Sequence, residues 1–159
     1  IRYYEKTTDI DPEYAEAWNN KGLSYYERGE PEEAIRCYDK ATSIDPTDDE
    51  TWNNKGMVYY KKGEMSEAKR CWERYLSQNP TDEDVWYNVG NVHYNKGEYD
   101  EAIKRFNKAT SIDSDHAKAW KNKGNAYSQK GNHEEAKRCW ARSLSIDPDQ
   151  PDLAEKLDL

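Results

Sequence analysis

The sequence predicts an all-α protein built from stacked helical hairpins, and three observations support that fold class. Tryptophan recurs every 34 residues and a glycine follows each one four residues later, giving the pairs Trp18/Gly22, Trp52/Gly56, Trp86/Gly90 and Trp120/Gly124. A fixed period of about 20 to 50 residues is typical of stacked supersecondary units. Apolar and aromatic residues within each unit recur at helical spacing, and breaks such as Asp45-Pro46 separate the units.

Each unit is predicted to contain two helices. In the first unit, a helical pattern runs from Tyr14 to Arg28 and ends at Gly29, because glycine accepts the left-handed backbone of a helix C-terminus. Pro31 suits the first turn of the second helix, where no intrahelical amide is lost. We expect eight full helices and a short helix at each end. The expected boundaries within a single domain are a half unit at 1–14, full units at 15–48, 49–82, 83–116 and 117–150, and a capping helix at 151–159.

The composition excludes several classes of function. The net charge of −8 and the pI near 5.0 argue against nucleic acid or an anionic membrane as partner, since both need clustered basic residues. No apolar run approaches the ~20 residues that span a bilayer. Large aromatic residues (13 Tyr and 6 Trp) supply the core in place of leucine. The first residue is Ile, which leads us to expect a fragment or a trimmed chain.

The three cysteines, Cys37, Cys71 and Cys139, occupy the same position in three of the units. Equivalent sites on packed helices lie about 10 Å apart, whereas a disulfide needs Cα atoms within about 7 Å. We therefore expect free thiols, no metal site and a reducing, cytoplasmic compartment.

The repeat resembles the tetratricopeptide repeat family. The first unit carries its pattern at Trp18, Gly22, Tyr25, Ala34, Tyr38, Ala41 and Pro46. The resemblance implies a right-handed superhelix of four repeats, in which the first helix of each repeat lines a concave groove. The sequence departs from the pattern at Lys21, Lys55 and Lys123, where leucine is expected, but lysine can bury its stem and keep its ammonium in water.

Each repeat places an asparagine two residues before its glycine. We call Asn20, Asn54, Asn88 and Asn122 the ladder asparagines. A primary amide can pair with a peptide backbone regardless of side chain. These positions resemble the asparagine ladders of peptide-binding members such as the O-GlcNAc transferase repeats, which implies backbone capture. The alternative is an intramolecular hydrogen bond within the repeats.

Other candidates for the groove lie on the same face of the first helices. With the ladder asparagines, the groove face comprises Glu16, Asn19, Leu23, Tyr26, Glu50, Asn53, Met57, Tyr60, Asp84, Tyr87, Asn91, Tyr94, Lys118, Lys121, Asn125 and Ser128. Tyrosine and asparagine suit adaptable recognition, although an ordinary wet surface would also look like this. Residues 15–48 carry a net charge of −4 and residues 117–150 a net charge of +3. We expect a peptide to orient its acidic end toward the fourth repeat.

Catalysis and cofactor binding have little support in the sequence. The three histidines occupy different repeat positions without a partnered nucleophile, and no phosphate loop or metal motif is present. The terminal-carboxylate clamp of chaperone-binding members is also incomplete. Asn53, Met57 and Asn122 stand where that clamp needs lysine, asparagine and arginine.

The sequence therefore predicts a non-enzymatic scaffold, without cofactor, that binds a peptide segment of a partner protein in its groove. One alternative is a self-assembling structural module, which could pair through Tyr3, Tyr4, Thr7 and Ile10 of the half unit. Another is the regulatory repeat region of a larger enzyme. The sequence does not identify the partner.

Overall fold

The computed structural model describes residues 2–157, and all regular secondary structure within that range is helical. Contacts divide the chain into two compact units, Ile1–Asn79 and Pro80–Leu159. From here on, "unit" means one of these two parts, and "repeat" means one 34-residue helical hairpin. The first contains α1 (Arg2–Ile10), α2 (Ala15–Glu27), α3 (Pro31–Ile44), α4 (Asp49–Lys62) and α5 (Met65–Leu76). The second contains α6 (Glu83–Asn95), α7 (Tyr99–Ile112), α8 (Ala117–Gln129), α9 (His133–Ile146) and α10 (Pro151–Lys156).

The predicted pattern of eight full helices with a short helix at each end is confirmed over the described residues. Ile1 of the predicted half unit, and Asp158 and Leu159 of the predicted capping helix, lie outside them. The turns also follow the prediction. Gly29, two residues after the end of α2, has a φ of 76°, and Pro31 begins α3.

The glycine of each first helix lies directly against an aromatic ring of the second helix. The four contacts are Tyr38 on Gly22, Trp72 on Gly56, Phe106 on Gly90 and Trp140 on Gly124. A Cβ atom on Gly22 would lie 2.7 Å from Cε1 of Tyr38, and one on Gly90 would lie 2.5 Å from Cε1 of Phe106. Carbon atoms do not pack that closely, so the missing side chain lets the ring approach the helix backbone.

Two of these rings, Tyr38 and Phe106, also reach the next first helix in their unit. Tyr38 is fully buried with Ala34 of its own helix and Val58 of α4. Phe106 is buried in the same way with Ala102 and with Ala126 of α8. In these two repeats the aromatic residue therefore joins three helices and fills space that leucines would otherwise fill.

The repeated tryptophans hold the loops in front of the first helices. In each repeat the indole Nε1 donates to the backbone oxygen six residues earlier, at 2.9 to 3.0 Å. The pairs are Trp18 to Pro12, Trp52 to Pro46, Trp86 to Pro80 and Trp120 to Ser114. Ser114 serves as well as proline because only its carbonyl is used.

The lysines that replace the expected leucine lie over these tryptophans. The Nζ atoms of Lys21, Lys55 and Lys123 are 4.9, 5.1 and 4.3 Å from the centroids of the preceding indole rings. Lys55 is nearly buried and its Nζ lies 2.6 Å from Oδ1 of Asp39. Burial lowers the pKa of Lys123, which has no ion pair among the described residues. Lysine is accommodated here by cation–π contact as well as by its buried stem.

The C-terminal helix α10 covers the end of the second unit. Leu153 is fully buried against Ala136 and Trp140 of α9, and Leu157 packs beside them. The predicted capping role of the two leucines is therefore visible in their contacts.

Candidate functional site

The first helices of each unit contact one another, so their groove faces are neighbours. In the first unit α2 contacts α4, and in the second α6 contacts α8. A side chain on one of these helices can therefore reach the groove face of the next.

The ladder asparagine of α4 forms such a connection in the first unit. Asn54 donates from Nδ2 to Oδ1 of Asn19 on α2, at 3.2 Å. Asn19 is only 3% exposed, so it holds Asn54 in place and offers little surface to a ligand. The neighbouring Asn53 accepts a hydrogen bond at Oδ1 from Nε1 of Trp72, at 3.0 Å.

The ladder asparagine of α8 makes the corresponding connection in the second unit. Asn122 donates from Nδ2 to Oδ1 of Asn91 at 2.8 Å and to the hydroxyl of Tyr87 at 3.2 Å. The side-chain oxygens of Asn54 and Asn122 accept no hydrogen bond from residues 2–157. In these two ladder amides the NH2 group is therefore engaged, while the oxygen has no donor among the described residues.

A pocket of about 370 Å³ in the second unit includes three groove-face residues among its lining, and we call it the α8 pocket. Its lining residues are Tyr94, Asn125, Ser128, Gln129, Trp140 and Lys156. Trp140 donates from Nε1 to Oδ1 of Asn125 at 3.1 Å, and Nζ of Lys156 lies 5.1 Å from the Trp140 ring. Burial raises the pKa of Tyr94, and a hydrogen bond with Gln129 opposes that shift.

The opposite end of α8 carries a second pocket of about 340 Å³, which we call the acidic pocket. It is lined by Glu83, Asp84, Asp113, Asp115, His116, Ala117, Lys118 and Asp147. Lys118 thus lies among five carboxylates, and Nζ of Lys121 lies 2.8 Å from Oδ2 of Asp152. The two lysines that suggested an attraction for anions are therefore largely compensated by neighbouring carboxylates.

The first unit has two smaller pockets next to groove-face residues. Asn20 shares one of about 230 Å³ with Tyr3, Tyr4, Thr7, Tyr14, Glu16 and Ala17. Tyr14 donates to Oε2 of Glu16 at 2.9 Å, and this hydrogen bond raises the pKa of Tyr14. Tyr26 lines the other, of about 270 Å³, with Nζ of Lys61 4.8 Å from its ring.

The remaining predicted residues are spread over the same faces and do not line these four pockets. Leu23 and Asn88 are half-buried, Met57 is exposed, and Tyr60 packs on Trp72 with 5.7 Å between ring centroids. Sequence reasoning did not include Trp140 in the site because it interpreted that residue as core. The register could have identified it, since it is the aromatic residue sixteen positions after Gly124.

The cysteine and histidine side chains outside the groove face have the environments of structural residues and not those of reactive groups. Burial raises the pKa of Cys37 and of Cys71 to about 11, and it also raises that of Cys139. All three thiols are free, as predicted. His93 lies with Nδ1 2.5 Å from Oε2 of Glu98, which lowers the pKa of that carboxyl group. Within residues 2–157, no three His, Cys, Asp or Glu side chains are placed to hold a metal ion.

None of the helices in the described part of the chain is both long and apolar enough to cross a membrane.

Several solved structures share the fold of this chain. A crystal structure of MamA aligns with a TM-score of 0.89 and 28% identity over 95% of this chain and 88% of that one. A MamA structure from Desulfovibrio magneticus RS-1, at 19% identity, has a TM-score of 0.88 over 94% of this chain and 84% of that one, and shows the shared fold alone. PilF of Pseudomonas aeruginosa aligns at 0.76 with 25% identity, over 90% of this chain and 65% of its own. Among curated protein sequences, none is significantly similar.

Profiles of repeat families match along the chain. One described as a TPR repeat matches residues 22–63 and 90–131. Two described as tetratricopeptide repeats match 50–82 with 117–150, and 3–36 with 71–104. The predicted fold class, an all-α tetratricopeptide repeat solenoid, is confirmed. Such repeats are typically non-catalytic, and the matches support a protein-interaction scaffold. The chain belongs to the tetratricopeptide repeat family.

Proposed function

We propose that the chain is a non-enzymatic scaffold that binds an extended peptide segment of a partner protein on the groove face of its first helices. The main support is the α8 pocket. Tyr94 of α6 and Asn125 and Ser128 of α8 were selected from the sequence alone, and all three line that one pocket. Its volume of about 370 Å³ lies in the range of ligand pockets, roughly 300–1,000 Å³.

The ladder asparagines can combine the two roles that the sequence left open. Asn54 and Asn122 each use Nδ2 to join neighbouring first helices. That bond fixes the amide and leaves its oxygen to accept from a peptide N–H group. A side chain already held in place loses less entropy when a ligand binds. We therefore include these two residues in the proposed surface and leave out the buried Asn19.

A peptide-display selection tests this proposal. The chain would be compared with a variant in which Asn20, Asn54, Asn88 and Asn122 are all changed to Ala. The control variant changes two exposed asparagines outside the first helices to Ala. They are Asn107 of α7 and Asn132, which directly precedes α9. Circular dichroism must first show that every variant remains helical, because Asn54 and Asn122 also connect helices.

We expect the parent and the control to enrich a shared peptide motif and the ladder variant to lose it. Enrichment by all three proteins would argue against recognition through the ladder asparagines. Failure of the parent to enrich any motif would argue against peptide binding altogether.

Self-assembly is a second candidate, favoured by the exposed side chains of α1. Tyr3 is 75% exposed and Ile10 is 85% exposed, and large apolar groups left in water often mark an interface. Light scattering would show a concentration-dependent dimer that is lost in the double variant Tyr3→Ser, Ile10→Ser. A strict monomer at high concentration would dismiss this candidate. For either candidate we propose a reducing, cytoplasmic setting, which suits three free buried thiols.

A further inference from the structure

The α8 pocket differs from the rest of this acidic chain in its charge. The chain has a net charge of −8, yet none of the six residues that line the pocket is a carboxylate. Lys156 is its single charged lining residue, and Asn125, Ser128 and Gln129 supply neutral hydrogen-bonding groups. The acidic pocket at the other end of α8 holds five carboxylates. The two ends of this helix therefore present opposite electrostatic environments to a ligand.

Lys156 is held at the edge of the α8 pocket by an aromatic ring. Its Nζ lies 5.1 Å from the centroid of Trp140, and Trp140 is itself 7% exposed and fixed in the core. Among residues 2–157, no carboxylate lies at ion-pair distance from Lys156. Asp152, one turn earlier on α10, pairs with Lys121 at 2.8 Å. Within the described residues, the ammonium of Lys156 is thus positioned without a direct counter-ion.

Two hydrogen-bond donors accompany this charge. The amide oxygen of Asn125 accepts from Nε1 of Trp140 at 3.1 Å, which orients the amide and leaves its NH2 group without an acceptor in the described residues. The hydroxyl of Ser128 likewise makes no hydrogen bond within residues 2–157. A cation, one oriented amide donor and one hydroxyl in the same pocket match the needs of a carboxylate, whose oxygens accept only.

We propose that the α8 pocket holds a carboxylate of the bound peptide, from an Asp or Glu side chain or from the C-terminus. Lys156 acts as the counter-ion, and Asn125 and Ser128 donate hydrogen bonds. This inference rests on the proposed function and adds a direction to it. The acidic group of the ligand lies at the C-terminal end of α8, away from the acidic pocket. It retains the predicted attraction of the fourth repeat for anions but assigns it to Lys156 in place of Lys118 and Lys121.

Short defined peptides test the proposal without knowledge of the natural partner. The probes are acetyl-Gly-Gly-Asp-Gly-Gly-amide, its Asn twin, its phosphoserine twin, and acetyl-Gly-Gly-Gly with a free C-terminus. Each is titrated into isotope-labelled protein, and the indole N–H of Trp140 and the side-chain amide of Asn125 are followed by NMR. These two groups line the pocket, so their signals report binding at the site itself.

We expect saturable shifts of both signals with at least one carboxylate probe and little response to the Asn twin. Affinity should fall as salt rises, because an exposed ion pair is screened. Lys156→Gln should weaken binding by roughly 1.5- to fivefold, the range for an exposed charge contact. Ser128→Ala should weaken it as well. The matched control Lys137→Gln removes an exposed lysine of α9 that does not line the pocket, and it should leave the affinity unchanged.

Several results would overturn the carboxylate assignment. These are equal binding of the Asp and Asn peptides, no response to either carboxylate probe, an equal loss in the Lys137 control, or tighter binding of the phosphoserine twin. Because the probes report on the pocket alone, motif enrichment by display together with no carboxylate preference would contradict this inference and leave groove binding intact. Carboxylate binding without any enriched motif would support the pocket and count against the proposed function.

Discussion

Gly124→Ala is the substitution that most directly tests the packing beneath the α8 pocket. A Cβ atom on Gly124 would lie 2.5 Å from both Cδ1 and Nε1 of Trp140 and 3.1 Å from the backbone oxygen of Ala136. The backbone oxygen cannot move aside easily, so the indole must shift. That shift would also break the bond from Trp140 to Asn125 and change the wall of the pocket.

The expected magnitude follows from three opposing contributions. Forcing a methyl group into a packed core costs about 1–3 kcal/mol, and losing the indole hydrogen bond costs about 1 kcal/mol. Replacing glycine by alanine inside a helix returns about 1 kcal/mol. We therefore expect the free energy of unfolding to fall by about 1–3 kcal/mol, although alanine is the better helix former.

Denaturant unfolding followed by circular dichroism measures the change, with amide hydrogen exchange in α8 and α9 as a local readout, since repeat proteins can unfold in parts. The control background is Trp140→Leu, which removes the indole. In that background Gly124→Ala should be neutral or stabilising by up to about 1 kcal/mol. A stabilising effect in the parent, or an equal loss in both backgrounds, would refute the account of glycine and ring packing.

Two further predictions concern the buried Lys55 and the half-buried Lys123. Asp39→Asn leaves the ammonium of Lys55, whose side chain is 6% exposed, without its acid. The free energy of unfolding should therefore fall by about 1–3 kcal/mol. This loss is smaller than for a fully buried pair because Asp39 is 56% exposed. The matched change Asp100→Asn breaks the more exposed pair with Lys130 and should cost at most about 1 kcal/mol, so equal losses in denaturant unfolding would contradict the prediction. Burial lowers the pKa of Lys123, so the unfolded chain binds more protons there and stability should rise with pH through the folded-state pKa of that lysine. Lys123→Leu should remove this dependence. The free energy of unfolding is measured for parent and variant from neutral to alkaline pH, and an identical change with pH in both proteins would contradict the prediction.

The fold could be predicted from the sequence because the repeat register fixes which residues meet. The spacing of Gly22 and Tyr38 recurs in every repeat, and the structure has the same contact between ring and helix backbone four times. The turn at Gly29 and the start of α3 at Pro31 followed from backbone preferences that neighbouring repeats do not change.

The candidate site was less predictable because it depends on bonds between repeats. Helical spacing placed Asn19 on the groove face, but its exposure depends on Asn54 of the next first helix, which covers it. Net charge per repeat pointed to Lys118, whereas the local field comes from loop carboxylates such as Asp113 and Asp115 that fold beside it. Lys156 lies beyond the last repeat, where the register gives no guide to its contacts.

The most direct test of groove binding is an NMR map of the chain with the peptide that display enriches most strongly. The account predicts that side-chain amide shifts concentrate on groove-face asparagines such as Asn54, Asn91 and Asn125, while Asn107 and Asn132 stay unchanged. Shifts concentrated on Asn107 or Asn132, with the groove-face amides unmoved, would place the ligand elsewhere and contradict the proposed function.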